Sequence, residues 1–362
     1  MSGEVRRIGV LFSRLSGYMA ACLKALKESH DVELLVYCWP TSTEAPFDAG
    51  HFNWIDQLYV KTGVTRAEIA SNLASFTPDA LFIVGWMDQD YLHVARTFKK
   101  KGIPVIAGSD TQWEGTVRQQ VGRWVAPWYL HSAIDVLWVA GERQRQLARK
   151  LGFTGMKCWS GVYACDWDKF SSRQKSKNVG GDYAPSFLYV GRYIQRKGLD
   201  VLLQAYKSYR ASVAEPWLLT CVGQGELRFM LESQKGIVDR GFIQPDQLPV
   251  LMKEASAFIL PSIKEPWGVV LQEAAAAGLP LICSDVCGAA VHLLQDGYNG
   301  FLFEVNNTQH LTQCMIQMST MAPERLQRMG DLGHELSKQF TPQRWSDTLV
   351  EGISSLRKRK QD

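Results

Sequence analysis

The sequence predicts an α/β protein made of two doubly wound domains, each built on a parallel sheet. Short apolar runs alternate with helical patterns along most of the chain, and strands that alternate with helices pair in parallel. These runs carry few polar interruptions, as strands covered on both faces do. The chain has 362 residues, more than one core organises, because single cores seldom grow past roughly 250–300 residues. Between the two series lies Ser171 to Tyr183, rich in Ser, Lys, Asn and Gly, which reads as an exposed linker.

The first series opens with Ile8–Phe12, then the polar turn Ser13–Gly17 and a helix from Tyr18 to Glu28. Further strands are expected at Val32–Tyr37, Ala80–Val84, Pro104–Ala107, Ile134–Val139 and Lys157–Ser160. In such sheets ligands sit beyond the carboxyl ends of the strands. Ser16 and Gly17, the segment Gly85–Asp88 and the segment Gly108–Trp113 are therefore candidate site loops.

Several features here admit two readings. Asp88-Gln-Asp90 could hold a divalent cation with two hard carboxylates, or it could open a helix, where acidic residues favour the dipole; the second is the more ordinary. Asp110 could orient an acceptor hydroxyl or take its proton, or it could N-cap the next helix. Glu114 to His131 interleaves Arg118 and Arg123 with Trp124, Trp128 and Tyr129. That pattern fits an interfacial membrane helix, or a core helix whose Trp residues pack while its Arg residues face water, which is the commoner case. Gly141-Glu-Arg-Gln-Arg145 opens another helix without an assignable role.

The second series begins with Phe187–Gly191 and runs directly into Gly191-Arg-Tyr-Ile-Gln-Arg-Lys-Gly198. Arg192 and Lys197 flank a loop that feeds a helix from Leu199 to Tyr209. A planar guanidinium and a mobile ammonium suit two phosphates, and Gly191 and Gly198 permit close backbone approach. Arg196 competes with Lys197 as the second cation. Trp217–Val222 is the next strand, with the turn Gly223-Gln224-Gly225-Glu226 and a helix to Gln234 after it. Gly241-Phe242 follows Ile237-Val238, and Leu248–Ala255 is an amphipathic helix.

The densest stretch comes next. Ala257–Leu260 reads as a buried strand end, followed by a Pro-rich turn and an Ala-rich helix that begins near Trp267-Gly268 and stops at Gly278-Leu-Pro280. A helix N-terminus leaves backbone N–H groups unpaired, so the amides of Gly268, Val269 and Val270 can cradle an anion. Glu265 lies just before that terminus and Glu273 inside the helix; eight residues of helix span roughly 12 Å, an upper guide. An anion pocket between two carboxylates suits a nucleotide diphosphate sugar. Taken alone, Glu-x7-Glu equally fits a solvated loop residue and an ordinary helix surface residue. Beyond it come a strand at Leu281–Ser284, a turn at Asp296–Gly300, a strand at Gly300–Phe303, helical patterns from Thr308 to about Lys338 and a last helix from Pro342 to Lys358.

The frame around the two glutamates, with Pro-Ser, Glu-Pro-x-Gly, a second Glu and Ala-Ala-x-Gly-x-Pro, resembles the donor-site signature of family 4 retaining glycosyltransferases of the glycosyl transferases group 1 superfamily. The Gly-Arg-x(4)-Lys-Gly loop stands at the family's spacing before it, and Tyr163 to Phe170 resembles the Asp-x-x-x-Phe segment at the end of the first domain. The likeness is clear from Phe187 to Phe303 and diffuse before that. It implies a GT-B fold, two Rossmann-like domains with an interdomain cleft, bounded here as 1–168, a linker 169–183, a donor domain 184–340 and a C-terminal helix 341–362 crossing back to the first domain with Trp345 at the crossover. It implies that Arg192 and Lys197 neutralise the diphosphate, that Glu265 contacts the donor sugar and Glu273 the ribose, that Gly223, Gln224 and Gly225 lie beside the donor, and that Gly241 and Phe242 read the base. Trp267 to Val270 belong to the same donor set. Family members often carry a His near Asp110, and this chain has none there, which leaves Asp110 as the nearest ionisable group.

Composition narrows the remaining classes. A net charge of +4 with basic residues spread along the chain does not point to nucleic acid, and Arg357-Lys-Arg-Lys360 is the one basic cluster. The eight cysteines show no CxxC pair and no zinc-like spacing with His, and several lie in apolar runs, as reduced core residues do. No apolar run is long enough to span a membrane, and the opening residues lack an apolar signal core. A cytoplasmic protein is expected, with peripheral attachment at the inner face of a membrane as an alternative. A dinucleotide enzyme fits poorly: Ser-Arg-Leu-Ser-Gly follows the first strand, and Gly223-Gln-Gly225 meets Arg228 where a third glycine belongs.

The residues and the resemblance together predict a glycosyltransferase that takes a sugar from a nucleotide-diphosphate sugar to an acceptor hydroxyl on a glycan, lipid-linked glycan or small molecule, with no metal or other cofactor; retention of configuration is what the resemblance implies. The setting expected is surface polysaccharide, glycolipid or glycoside synthesis. A nucleotide-sugar epimerase of the same fold, and a non-catalytic nucleotide-binding homologue, are the alternatives.

Overall fold

Seven short strands, nearly all buried, build the first sheet: β1 Arg7–Leu11, β2 Glu33–Cys38, β3 Gln57–Val60, β4 Ala80–Val84, β5 Val105–Ser109, β6 Val136–Val139 and β7 Cys158–Ser160. Six build the second: β8 Ser186–Val190, β9 Leu218–Val222, β10 Ile237–Asp239, β11 Ala257–Leu260, β12 Leu281–Ser284 and β13 Gly300–Phe303. The computed structural model describes residues 4–40, 52–171 and 185–359. The chain divides into two units, Met1–Ala164 with Pro342–Asp362, and Cys165–Thr341. The expected α/β architecture with two parallel sheets is present.

The first sheet runs β3-β2-β1-β4-β5-β6-β7, every pairing parallel. Its core packs Leu11, Leu35, Ile83, Val105 and Leu137 beneath the helices Arg66–Phe76 and Gln89–Lys100. The strand β3 escaped the sequence reading. It pairs only with β2 at the sheet edge and all four of its residues are exposed, so no burial pattern marks it. The last helix, Pro342–Arg359, belongs to this unit. Trp345 fastens it: the ring stacks on Trp138 with centroids 5.1 Å apart, Phe82 meets it edge-on at 5.6 Å, and its indole N–H donates to the Val162 carbonyl at 2.8 Å.

The second sheet runs β10-β9-β8-β11-β12-β13, again all parallel. Phe187, Leu219, Ile259 and Ile282 form its core with Tyr206 and Tyr209 from the helix Leu199–Ser212. The helix expected after Gly225 is a 3-10 turn, Glu226–Leu231. Leu227 and Met230 pack on the core three residues apart, the repeat of a 3-10 helix. Trp167–Ser171 is a short helix with Phe170 buried, so regular structure continues past residue 169, where the linker was expected to begin. The rest of that linker, from 172 to 183, lies outside the described residues. All eight cysteines are buried and none forms a disulfide.

Candidate functional site

The strand order reverses direction at two places. From β8 the chain builds outward through β9 and β10, then returns to lay β11 on the other side of β8. The loops after β8 and β11 therefore leave neighbouring parallel strands at a topological switch point, where open α/β sheets bind ligands. These are the two loops that carry Arg192, Lys197 and Glu265. In the first sheet the same reversal falls between β1 and β4, beside Ser16 and Gly17.

Backbone bonds stitch the second unit's loops into one cluster. The amides of Ile263 and Lys264 donate to the Arg196 carbonyl at 2.9 and 3.1 Å. Tyr193 N–H donates to the Gln224 carbonyl at 2.9 Å and Gly223 N–H to the Gly241 carbonyl at 2.8 Å. Gly191, Gly223, Gln224, Gly225 and Gly241 thus share one end of the sheet. Gly198 ends the Arg192–Lys197 loop with φ +69°, and a Cβ there would fall 2.0 Å from the Pro261 carbonyl oxygen. Only glycine lets the two loops meet at this point.

The side chains converge in turn. Lys197 Nζ donates to Glu265 Oε2, and the Ser262 hydroxyl donates to the same oxygen at 3.0 Å. Ser284 Oγ donates to the Ser262 carbonyl at 2.6 Å and holds the turn. Glu265 is only 7% exposed, so it is not a solvated loop residue. A carboxylate this buried must be paired and hydrogen-bonded, and here Lys197 and Ser262 meet that need. Ser262 and Ser284 were absent from the expected site. The Pro-Ser pair was visible in the sequence, but the contact to Glu265 required the fold.

Gly268, at φ +95°, precedes the helix Val269–Ala276. Leu271 N–H donates to the Gly268 carbonyl at 2.9 Å in the opening turn, so the amides of Gly268, Val269 and Val270 come before it, at the positive end of the dipole. The Trp267 ring packs in the core against His292 and Phe340, which leaves its backbone as the part beside the loop. Glu273 is partly buried within the helix. Burial pushes its carboxyl up to about 7; the Asp166 charge adds to the rise and Lys169 opposes it. Asp166, read from sequence only as part of the segment that ends the first domain, is thus a charged neighbour of Glu273.

That rise has a consequence for stability. With a folded pKa above the ordinary carboxylate value, Glu273 imposes no cost in acid; its cost grows as pH climbs from about 4.5 to 7 and is fully present above. Glu273→Gln is expected to stabilise the protein by about 1–2 kcal/mol at pH 8, allowing for partial solvent screening. Near pH 4 it should do nothing. Melting curves at the two pH values check this, and an equal shift at both would refute it.

Asp239 fixes the Gly241 corner. Burial alone would raise its carboxyl, but the Gly241 amide, Arg228 Nε at 2.7 Å and the Tyr193 hydroxyl at 3.0 Å outweigh that and hold it below the usual range. Arg228, which stands where a dinucleotide loop would need glycine, thus serves an ion pair. Phe242 is partly buried beside this corner.

In the first unit, Ser16 takes an extended backbone before the helix Gly17–His30, yet its hydroxyl makes no cap bond. That oxygen is shielded and has no hydrogen-bond partner among the described residues. Asp110 follows β5, and it is not the helix cap: Thr116 caps the helix Val117–Tyr129, its hydroxyl accepting from Gln119 N–H at 3.3 Å. Asp110 instead lies near Tyr163, whose phenol is pushed well up by burial first and then by the charges of Asp110 and Tyr18. Asp88 caps the helix Gln89–Lys100 through the Asp90 and Tyr91 amides. Lys61 meets both acids, at 2.8 Å from Asp88 and 2.9 Å from Asp90, so a lysine supplies the positive charge that a metal would have brought. Among the described residues no group of three or more His, Cys, Asp or Glu is placed to hold a metal.

Residues 170–335 match the family described as "Glycosyl transferases group 1". This segment belongs to that family. It contains every residue expected on the donor side, from Gly191 to Glu273, whereas Ser16, Gly17 and Asp110 lie outside it. The chain is 31% identical over 159 residues to the uncharacterized glycosyltransferase MJ1607 of Methanocaldococcus jannaschii, covering 42% of this chain and 40% of that protein. It is 27% identical over 186 residues to the lipopolysaccharide glucosyltransferase WaaG of Escherichia coli K12, covering 49% and 50%. The chain spans about half the length of the curated relatives it matches. Its structure superposes on Anabaena Alr3699/HepE in complex with UDP with a TM-score of 0.72 at 15% identity, over 96% of this chain and all of that one (100%). The fold is GT-B.

Proposed function

We propose that this group 1 glycosyltransferase segment binds a nucleotide-diphosphate sugar and that the chain transfers the sugar to an acceptor hydroxyl with retention of configuration. The observation that carries the reading is the convergence of Lys197, Glu265 and the Val269–Ala276 helix terminus at the β8–β11 switch point. UDP bound to the structurally similar HepE, and the glucosyltransferase name of WaaG, support it.

In this reading Arg192 and Lys197 oppose the charge that grows on the diphosphate as the glycosidic bond breaks. The amides of Gly268 to Val270 take phosphate oxygens. Donors already fixed at the place where charge develops lower the barrier without reorganisation. The positive charge comes from side chains and a helix terminus, so the reading assigns no metal. Glu265, oriented by Lys197 and Ser262, contacts the sugar; Glu273 receives the ribose diol. Asp110 and Ser16 are the acceptor-side groups of the first unit, with a glycan, a lipid-linked glycan or a small glycoside as the acceptor class.

A thermal-shift screen against UDP, GDP, ADP and their sugar conjugates, with and without EDTA, tests the reading. A ligand at a hundredfold excess over its Kd stabilises by about 2.7 kcal/mol. One nucleotide should raise the melt, EDTA should leave the shift intact, and Glu273→Ala should diminish it. Absence of any shift, or a shift that requires a divalent ion, would overturn the donor-site assignment.

A further inference from the structure

The helix Val117–Tyr129 buries only Ala126. Its large side chains face the other way: Val117 is 80% exposed, Trp124 68% and Trp128 78%, with Val121 and Val125 exposed between them. Positions 117, 121, 124 and 128 fall on one helical stripe, and Ala126 lies opposite. The expected core packing of these Trp residues is therefore contradicted. The core below this helix is closed by Ala126 and Leu130, so the Trp rings have no place inside it.

Cations border the stripe. Arg118 is exposed on one flank, and Arg123 on the other lies over the Trp124 ring at 5.1 Å. Lys150 stands over Trp113, just before the helix, at 4.7 Å. From Val117 to Tyr129 there is no acidic residue. Two exposed indoles on an apolar stripe between arginines match the chemistry of a bilayer interface, with rings at headgroup depth and guanidinium groups on phosphates. No helix among the described residues is long and apolar enough to cross a membrane, so the contact is a surface one.

We infer that Val117–Tyr129 is a docking helix for an anionic lipid surface, which it enters with Trp124 and Trp128. A second copy of the chain fits less well, since a two-fold contact on this face would set Arg118 and Arg123 against their own counterparts. The inference does not rest on the donor site, because vesicle binding is read without nucleotide.

Co-sedimentation with vesicles of phosphatidylglycerol and phosphatidylcholine, compared with phosphatidylcholine alone, tests it on the full chain. Binding should require the anionic lipid and weaken in high salt. Trp124→Ser with Trp128→Ser should reduce the partition coefficient roughly tenfold or more, and Arg118→Glu with Arg123→Glu should do likewise. The altered residues are on the surface, and an unchanged melting temperature verifies that the variants fold. Equal binding by wild type and the Trp variant, or no binding by wild type, overturns the inference. So does a dimer in solution that the Trp variant dissociates, because the face would then belong to a second copy.

Discussion

Lys197→Ala should reduce turnover by about 10²–10³-fold, the usual cost of removing one preorganised group from a site of developing negative charge. Its consequences go beyond catalysis. Glu265 is buried, and its Oε2 accepts from both Lys197 and Ser262. Taking away the ammonium leaves a buried carboxylate short of its counter-charge, and breaking a buried pair from one side costs about 3–5 kcal/mol. The single variant should therefore melt well below wild type. Lys197→Ala combined with Glu265→Gln separates the two effects: the neutral amide removes the orphaned charge and should restore much of the stability, while turnover remains lost. Steady-state rates and melting curves on the four proteins of this cycle measure both. Recovery of activity in the double variant would show that Lys197 acts only by stabilising the fold.

Trp345→Ala should destabilise the protein by about 3–5 kcal/mol, as expected for an aromatic truncated to alanine in a closed core. Trp345 is 2% exposed and stacks on Trp138 while meeting Phe82 edge-on. Its indole N–H also satisfies the Val162 carbonyl, which the variant would leave buried and unpaired. Trp345→Phe retains most of the ring volume but not the N–H, so its loss should be much smaller. Denaturant titration of the three proteins decides it. A loss below 1 kcal/mol for the alanine variant would mean that this helix contributes little to the stability of the first unit.

The strands with continuous apolar runs, such as Ala80–Val84, Ala257–Leu260 and Leu281–Ser284, were legible from sequence at their observed bounds. Burial on both faces forces such runs to be uniformly apolar. The exposed edge strand Gln57–Val60 was not legible, because nothing in the core constrains its side chains. The 3-10 turn Glu226–Leu231 was read as a longer helix, since a short repeat of apolar residues does not distinguish the two.

Within the site, the chemistry of the residues was readable and their pairing was not. Gly-Arg-x(4)-Lys-Gly and the two glutamates carry, in residue type and local spacing, the chemistry from which phosphate and hydroxyl binding is proposed. That Lys197 meets Glu265, sixty-eight positions away, depends on β11 lying beside β8, a choice made by sheet order. Likewise, the sequence of Val117–Tyr129 shows an amphipathic pattern but not which side faces the core. Both faces of that helix can be satisfied, one by packing and one by an interface. Only the tertiary structure, in which Ala126 is buried in the core while Trp124 and Trp128 are exposed, decided the direction. What the sequence by itself determined was the fold class and which residue types stand in the two loops and the helix that follow β8 and β11, because periodicity and local spacing are properties of the chain. Long-range pairing, burial of Glu265 and the outward Trp face are properties of the packing.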